Sequence, residues 1–411
     1  MTDQNGHIVI VGAGHAGGSA AAFLRQYGWR GPITLLGEEP LAPYQRPPLS
    51  KDWLKGHADA ASLALKPASF YPEHGIELRL ATRAAAIDRT GRRILLEGGE
   101  TLAYDHAVLA LGSRARRLDL SGLGLPGVLE LRNAADADRL KAALASGRRL
   151  VVIGGGYIGL EAAASARSLG VDVVLIEREA RILARVACTA FSDFFQHYHR
   201  AQGVELLLGA EVTALEAGEG GQVAGVRLGD GRLVKGDAVL IGVGGVANDE
   251  LARAAGLACD NGVLVDHRAR TEDAAIYAIG DCTRRPMPLY DRLWRLESVP
   301  NALEQAKQAA ADLTGRPAPA PEVPWFWSDQ YDLKLQIAGV PFGAAQVVLR
   351  GEPEDAQFAA FHLAEDGRML AVEAVNAPAE FMAGRMMIGK RRQVDAARLG
   401  DPRVSMKELM A

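Results

Sequence analysis

The stretch VVIGGGYIGLEAA (residues 151–163) repeats the pattern of IVIVGAGHAGGSAA (residues 8–21). In each, an apolar run predicts a buried strand, glycines predict a tight turn, and an alanine-rich run predicts a helix. In the first turn Gly12 permits the turn, Gly14 lets a pyrophosphate approach the backbone, and Gly17 lets helix and strand pack closely. The corresponding glycines of the second turn are Gly154, Gly156 and Gly159.

An acidic residue follows each unit at the end of the next strand. Glu38 closes the strand in ITLLGEE (residues 33–39), and Glu177 closes the strand in VVLIERE (residues 173–179). A carboxylate at this place accepts the ribose hydroxyls of an adenosine, and the alternative is a solvated charge at a strand end. Because both units satisfy the whole pattern, the sequence predicts two bound dinucleotides.

Composition describes an ordinary globular protein with room for two or three domains: 411 residues, 48% hydrophobic and 23% charged. A net charge of -4 provides no general field for nucleic acid or an anionic membrane. Neither a signal peptide nor a membrane-spanning apolar run is found, which predicts a cytoplasmic protein. No metal is expected, because the nine histidines lack ligand spacing and no C-x-x-C pair occurs among Cys188, Cys259 and Cys282.

Strand and helix patterns alternate through about three quarters of the chain, which predicts parallel sheets. A Pro/Ala-rich linker, GRPAPAPEVP (residues 315–324), then precedes alternating strands such as DLKLQIAG (residues 332–339). The expected fold class is therefore α/β, with two Rossmann-like dinucleotide-binding domains and a C-terminal α+β domain that contains an antiparallel sheet.

Six segments together resemble the FAD-dependent, NADH-oxidising ferredoxin reductases of bacterial oxygenase systems: GAGHAG (12–17), PYQRPPLSK (43–51), GGGYIGLE (154–161), IYAIGDC (276–282), ESVPNALEQA (297–306) and VPWFWSDQYDLKLQIAG (323–339). The resemblance covers nearly the whole chain and implies a glutathione-reductase-like flavoprotein. It implies that the first turn binds FAD and the second NADH. The implied domains are an FAD-binding domain in two parts (1–115 and 244–318), an NAD-binding domain (116–243) and a C-terminal reductase domain (319–411).

The resemblance also implies roles for individual residues. Lys51 and Glu161 are the implied catalytic pair, joining the FAD and NAD domains beside flavin N5. The implied FAD contacts are Gly12, Gly14, Ala16, Gly17, Glu38, Lys51, Ala84, Arg132, Asp281, Val299 and Trp327. The implied NADH contacts are Gly154, Gly156, Tyr157, Ile158, Gly159, Glu177, Arg178 and Gly244.

Local patterns support three of these roles, each with a simpler alternative. Consecutive prolines stiffen the loop before Lys51, although most lysines are plain surface residues. Asp281 ends a strand where it can accept ribityl hydroxyls, although turn aspartates are common. Pro300 opens a helix whose positive end, at Val299, would stabilise charge on the flavin pyrimidine, although the helix can equally be an ordinary amphipathic one. One departure from the family is Leu111, which replaces a threonine before the retained Gly112.

The expected reaction is hydride transfer from nicotinamide C4 to flavin N5 of a tight, non-covalent FAD, followed by single-electron steps to a small acidic [2Fe-2S] ferredoxin. The ferredoxin would feed a cytochrome P450 or a Rieske-type oxygenase. Rubredoxin reductase and NADH oxidase remain alternatives, and an apoptosis-inducing-factor-like signalling role is a further one. Disulfide reductases and flavin peroxidases need cysteine near the flavin, and the matching loop RPPLSKDWL (residues 46–54) has none.

Three expectations concern nucleotide specificity, the electron exit and docking. Glu177 opposes a 2'-phosphate and favours NADH over NADPH, with Arg178 softening the discrimination. Trp327 is expected at the electron exit, against the alternative of a core aromatic. The basic segment GRMMIGKRR (residues 384–392) is the expected ferredoxin landing site, against the alternative of a solvated helix end, through Arg385, Lys390, Arg391 and Arg392.

Overall fold

The first glycine turn follows a central strand of a five-stranded parallel sheet. The computed structural model describes residues 4–144 and 148–410. The strands of this sheet are β1 (Ile8–Val11), β2 (Ile33–Leu36), β3 (Ile76–Arg79), β7 (His106–Leu109) and β19 (Ile276–Ala278), in the spatial order β19-β7-β1-β2-β3. Every pairing in it is parallel. Because β19 comes from far along the chain, two separate segments build this sheet.

The second glycine turn follows a central strand of another five-stranded parallel sheet. Its strands are β9 (Val128–Leu129), β10 (Leu150–Ile153), β11 (Val173–Glu177), β12 (Val204–Leu208) and β16 (Ala238–Ile241), in the order β12-β11-β10-β16-β9. Its pairings are also parallel. The central strands of both sheets are buried along their whole length, as their unbroken apolar sequences require.

Helices cover both parallel sheets. Two of them, α1 (His15–Tyr27) and α8 (Val299–Leu313), pack together over the first sheet in one apolar cluster. Alanine side chains on both helices allow the close approach. The second sheet carries α4 (Ala134–Leu144), α5 (Tyr157–Ser168) and α6 (Thr189–Ala201). Gly28 ends α1 in the left-handed conformation, φ 99°, as its sequence position predicts.

Small antiparallel sheets are attached to these two cores. They are formed by β4 (Ala84–Asp88), β5 (Arg93–Leu96) and β6 (Thr101–Ala103); by β13 (Val212–Ala217), β14 (Val223–Leu228) and β15 (Leu233–Lys235); and by β18 (Val263–Leu264), β20 (Thr283–Met287) and β21 (Arg292–Trp294). A two-stranded ribbon of β8 (Ser113–Ala115) and β17 (Gly245–Ala247) joins the two chain crossings between the parallel sheets. The crossings are therefore hydrogen-bonded to each other.

The C-terminal region forms a five-stranded antiparallel sheet. Its strands are β22 (Trp325–Gln330), β23 (Leu333–Gly339), β24 (Gln346–Glu352), β25 (Gln357–Leu363) and β26 (Met369–Val375), in the order β22-β23-β26-β25-β24. Helices α9 (Pro378–Gly389), α10 (Ala396–Gly400) and α11 (Met406–Met410) pack on one face. The two Rossmann-like sheets and this antiparallel sheet confirm the predicted fold class.

The other face of the C-terminal sheet packs on the second parallel domain. Phe358 of β25 lies 4.6 Å, ring to ring, from Phe191 of α6, and both rings are fully buried. Phe326 of β22 lies 4.4 Å from Tyr157 at the start of α5. Alternation along the strands sends one set of side chains to this interface and the next to α9. The interface is therefore an extension of the core.

The remaining helices are short. They are α2 (Asp52–Lys55), α3 (Phe70–Glu73) and α7 (Glu250–Ala254), with single 3-10 turns at Pro47–Ser50, Gly280–Cys282 and Pro353–Asp355. Within the described residues, no helix combines the length and apolar character needed to cross a bilayer.

Candidate functional site

A single cleft of about 1650 Å³ opens between the domains, and both glycine turns lie in its wall. The Pro47–Lys51 loop, Asp281, Val299 and Trp327 contribute to the same wall. The cleft is therefore made by the two parallel sheets at the carboxyl ends of their strands, with β22 of the C-terminal sheet closing it. That is where nucleotides bind in doubly wound folds.

The glycines of the first turn have the steric roles that the sequence predicts. Gly12 has φ 112°, and a Cβ there would lie 2.2 Å from the carbonyl oxygen of Ala110. A Cβ on Gly17 would lie 1.9 Å from the carbonyl oxygen of Gly12. By contrast, a Cβ on Gly14 would meet nothing closer than a guanidinium nitrogen of Arg46 at 4.0 Å. Gly14 thus leaves space open for a ligand, while the other two keep the turn closed.

The second turn has the same division of roles. Gly154 has φ 110°, and a Cβ there would lie 2.5 Å from the carbonyl oxygen of Gly242. A Cβ on Gly159 would lie 2.3 Å from the carbonyl oxygen of Gly154, whereas one on Gly156 would meet no atom within 4 Å. Helices α1 and α5 both begin without a side-chain cap. Their first N–H groups are available to a diphosphate at the positive helix end.

The two strand-end glutamates differ in how firmly they are held. One carboxylate oxygen of Glu177 accepts the N–H of Gly155 at 2.6 Å, and the other accepts the N–H of Glu179 at 2.8 Å. Glu38 is exposed and lies 3.6 Å from the Arg83 guanidinium. Arg178 is exposed beside the cleft and pairs with Glu179 at 3.2 Å. Glu177 therefore belongs to the framework of its turn as well as to the cleft wall.

A second polar group of the cleft surrounds Asp281. Arg132 donates through Nη2 to the Asp281 carboxylate at 3.0 Å and through Nε to the carbonyl of Ser113 at 2.7 Å. The hydroxyl of Ser113 donates to the same carboxylate oxygen of Asp281 at 3.0 Å. At Leu111, where the family has threonine, the backbone carbonyl accepts from Asn248 at 2.8 Å. The crossing is held by backbone contacts that do not depend on a hydroxyl at position 111.

Helix α8 directs its N-terminus at the cleft through Val299. The Ser298 hydroxyl caps the helix by accepting the N–H of Asn301 at 3.2 Å. A buried ion pair holds the helix against β20, because Arg285 makes two bonds of 2.8 and 2.9 Å to Glu304. The positive helix end is consequently fixed in position at the cleft wall.

Lys51 and Glu161 meet in the wall of the cleft. Lys51 Nζ lies 2.6 Å from the Glu161 carboxylate, and both side chains are largely buried. The hydroxyls of Ser50 and Ser328 donate to the same carboxylate at 2.5 and 2.6 Å. The three partners of Glu161 come from the loop of the first domain and from β22. The family resemblance implies only the ion pair, and neither serine stands in a motif with its own chemistry.

Two further cleft residues have no role in the sequence analysis. Arg46 contacts Glu39 at 2.5 Å and donates to the carbonyl of Arg132 at 2.7 Å, which braces the proline-rich loop. His15, the first residue of α1, has a buried Nδ1 without a hydrogen-bond partner among the described residues. Burial lowers the pKa of His15, so the imidazole is neutral near pH 7. An orphaned polar atom in the first turn is consistent with a ligand that the turn is built to hold.

Several predicted site residues lie away from the cleft. Ala84 begins β4 and packs against the apolar cluster beneath that small sheet. In the basic segment, Arg385 pairs with Glu322 at 3.2 Å, Arg391 donates to the carbonyl of Pro288 at 2.5 Å, and Arg392 donates to the carbonyls of Leu409 and Met410. Lys390 is exposed. The bases other than Lys390 thus have structural partners within the chain.

Among the residues that the structure describes, no cysteine lines the cleft. Burial raises the pKa of Cys282 to about 12, and burial beside Glu373 raises the pKa of Cys188 to about 12. Both thiols are protonated at neutral pH, which makes them poor nucleophiles. Cys188 and His362 each hydrogen-bond Glu373, through a backbone N–H at 3.0 Å and a ring nitrogen at 2.7 Å, and this group joins α6 to the C-terminal sheet.

The cleft fits two dinucleotides. Each turn offers an open glycine and uncapped helix N–H groups for a diphosphate, and each strand-end glutamate lies in the wall for a ribose. Asp281, Arg132 and the end of α8 add polar groups only on the side of the first turn. The residues present therefore suit FAD there and a nicotinamide dinucleotide at the second turn.

The contrast between Gly14 and Gly17 predicts two different mutant phenotypes. Gly14→Ala should leave the flavin-free protein as stable as wild type but weaken FAD binding at least about tenfold, because the methyl group enters only the ligand's space. Gly17→Ala should lower the thermal midpoint of the flavin-free protein as well, because its methyl group collides with the backbone. FAD titration and thermal unfolding of the apoproteins measure both effects. Equal loss of stability in the two variants would contradict the assignment.

Comparison with known proteins agrees with this site. The model of the pyridine nucleotide-disulphide oxidoreductases matches residues 6–306, and the reductase C-terminal model matches residues 325–410. The chain is 53% identical over 99% of both chains to a probable ferredoxin reductase, CtmF, of Castellaniella defragrans. It is 42% identical to putidaredoxin reductase CamA of Pseudomonas putida, over 100% of this chain and 98% of the relative.

A solved structure extends the comparison to three dimensions. The covalent putidaredoxin reductase–putidaredoxin complex has a chain with a TM-score of 0.96 and 41% identity, covering 99% of this chain and 98% of the other. The two family models and the full-length relatives agree with this structural likeness. The chain belongs to the pyridine nucleotide-disulphide oxidoreductases and, among them, to the ferredoxin reductases.

Proposed function

We propose that the protein oxidises NADH and passes the electrons through FAD to a small iron-sulfur protein. The observation that carries the proposal is the single cleft whose wall contains both nucleotide turns and the Lys51–Glu161 ion pair. Bound FAD supplies the chemistry that side chains lack, since it accepts a hydride and gives up electrons one at a time.

The chain's own residues bind, orient and stabilise. Lys51 holds a positive charge in the cleft, and Glu161 fixes its position from the opposite domain. The N-terminus of α8 presents a second, partial positive charge at Val299, where it would stabilise negative charge on the reduced flavin. The remaining predicted FAD and NADH contacts that line the cleft, with Gly244 in the crossing between the domains, form the rest of the binding surface.

The acceptor that fits this family membership is a small acidic [2Fe-2S] ferredoxin, with a rubredoxin as the alternative. Two of the relatives described above are named as ferredoxin or putidaredoxin reductases, and the solved relative holds putidaredoxin. The ferredoxin would serve a cytochrome P450 or a Rieske-type oxygenase. We assign the reaction to the cytoplasm, where three unpaired cysteines stay reduced. The lack of cysteine in the cleft favours this function over disulfide or peroxide reduction.

Rapid-mixing spectroscopy tests the proposal. NADH should bleach the flavin absorbance of the purified protein, and a [2Fe-2S] ferredoxin should restore that absorbance faster than quinone, peroxide, a disulfide or air. The Trp327→Ala variant should slow the second step about tenfold if this cleft residue borders the electron exit, while leaving the first step near wild type. Flavin that NADH does not bleach, or reoxidation fastest with a disulfide, would refute the function.

The bonds made by Glu177 predict the choice of nucleotide. Wild type should prefer NADH over NADPH by about tenfold or more in kcat/KM, because the carboxylate repels a 2'-phosphate. Glu177→Gln should narrow the preference, since it removes the charge while its amide oxygen still accepts one of the two N–H groups. Glu205→Gln, which changes a carboxylate that pairs with Arg149 away from the cleft wall, serves as the matched control. Equal efficiency with both nucleotides in wild type would contradict this reading.

We retain the basic segment as the proposed landing site for an acidic partner, with Lys390 as its main contributor. Lys390→Glu should slow ferredoxin reduction at low salt and flatten its salt dependence, while ferricyanide reduction stays normal. Arg392→Glu should instead lower thermal stability, because Arg392 holds the carbonyls at the end of α11. If Lys390→Glu changes the rates with both acceptors equally, the segment is structural and the docking proposal fails.

A further inference from the structure

The Glu161 carboxylate is a buried charge whose partners come from outside its own helix. One oxygen accepts from Lys51 at 2.6 Å and from the Ser50 hydroxyl at 2.5 Å. The other accepts from the Ser328 hydroxyl at 2.6 Å. Glu161 is 6% exposed and Ser328 is 0% exposed, so water does not replace the Ser328 hydroxyl as a donor. Each carboxylate oxygen is therefore held from a different domain.

A chain of polar groups fixes the direction of the Ser328 hydrogen bond. A carboxylate can only accept hydrogen bonds, so the Ser328 hydroxyl donates its single proton to Glu161. Its oxygen then accepts from the Gln330 amide nitrogen at 3.2 Å. That orientation of the amide turns the Gln330 carbonyl to His199, whose Nε2 lies 2.8 Å away and must donate. The hydrogen bonds consequently run one way, from His199 towards Glu161.

His199 suits its place in this chain. Burial lowers the pKa of His199 to about 4, so the ring is neutral at physiological pH and carries one proton. With that proton on Nε2, Nδ1 is free to accept from the Tyr331 hydroxyl at 3.4 Å. One tautomer satisfies both contacts. The chain therefore requires no charge other than that of Glu161 and its lysine.

We propose that Ser328 is a positioning residue of the NADH reaction, through which the C-terminal domain holds Glu161 and hence the Lys51 ammonium in the cleft. The inference deepens the proposed function and rests on it. Without the Ser328 hydroxyl, the Glu161 oxygen that it contacts is buried without a donor, and the carboxylate must rotate or admit water. Either change releases Lys51 Nζ from its 2.6 Å contact.

The first measurement is the rate at which NADH reduces the flavin in a single turnover. Ser328→Ala should slow this rate by about tenfold, the usual cost of one hydrogen bond to a charged group, with little change in the apparent affinity for NADH. In the Glu161→Ala background, adding Ser328→Ala should change the rate less than about twofold, because the partner is already absent. Thr314→Val removes a buried hydroxyl bonded at 2.7 Å far from the cleft and should leave the rate unchanged.

The second measurement needs no activity. Acylation of Lys51 by an amine-reactive ester, followed by peptide mass spectrometry, reports how firmly the ammonium is held. Its side chain is 15% exposed, so wild type should label slowly, and Ser328→Ala should label several times faster. Lys307, which pairs with Glu322 outside the cleft, is the internal reference and should not change. Thermal midpoints of the variants exclude general unfolding as the cause.

The outcomes separate this inference from the proposed function. Unchanged Lys51 labelling in Ser328→Ala, or an equal slowing in the wild-type and Glu161→Ala backgrounds, overturns the positioning role. Slowing confined to ferredoxin reduction overturns it too, because it would place Ser328 on the electron exit. If NADH fails to reduce wild-type flavin, the proposed function falls, and faster Lys51 labelling in Ser328→Ala still establishes the contact.

Discussion

A buried carboxylate has to be surrounded by donors, and this constraint at Glu161 organises the centre of the molecule. An ionised group at 6% exposure costs several kcal/mol unless its partners replace water. The chain meets the cost with Lys51 and Ser50 from one domain and Ser328 from another. Since α5 supplies the glutamate, three segments from different parts of the chain must come together before the charge is satisfied. The geometry of the cleft at Glu161 therefore depends on how the domains are arranged.

The glycine turns carry out the complementary task of leaving room. In each turn two glycines allow the backbone to close on itself and the third keeps a Cβ out of the cleft. The uncapped starts of α1 and α5 then point partial positive charge into that space. These features are locally encoded, because they depend on residues within one strand, one turn and one helix. A duplicated unit of this kind gives two similar nucleotide sites. The polar groups around Asp281 distinguish the first site from the second.

Local encoding also decides how much could be predicted. The strands, the helix beginning beside Pro300 and the antiparallel C-terminal sheet follow from local patterns, and the structure contains all of them. The Lys51–Glu161 pair is implied by the family resemblance, and the structure contains the contact. Ser328 and Ser113 were missed because their partners lie 167 and 168 positions away and no pattern marks a serine for such a contact. For the same reason the local sequence does not show what the basic segment contacts, and its docking role stays a prediction. Its arginines form a charge cluster in sequence, yet they are bonded to distant acids and carbonyls. The exact domain boundaries and the role of Ala84 stay predictions.

Strand β22 shows why the C-terminal domain cannot be an independent attachment. Three consecutive residues on it face three different demands: Phe326 packs on Tyr157 at the second nucleotide turn, Trp327 lines the cleft, and Ser328 bonds to Glu161. A strand moves as a unit, because its ladder with β23 pairs every residue from Trp325 to Gln330. Any displacement of Trp327 by a docked partner would therefore also act on the Glu161 carboxylate. The packing of Phe358 on Phe191 resists such displacement, so the domain holds the nucleotide turn, the cleft wall and the ion pair in register.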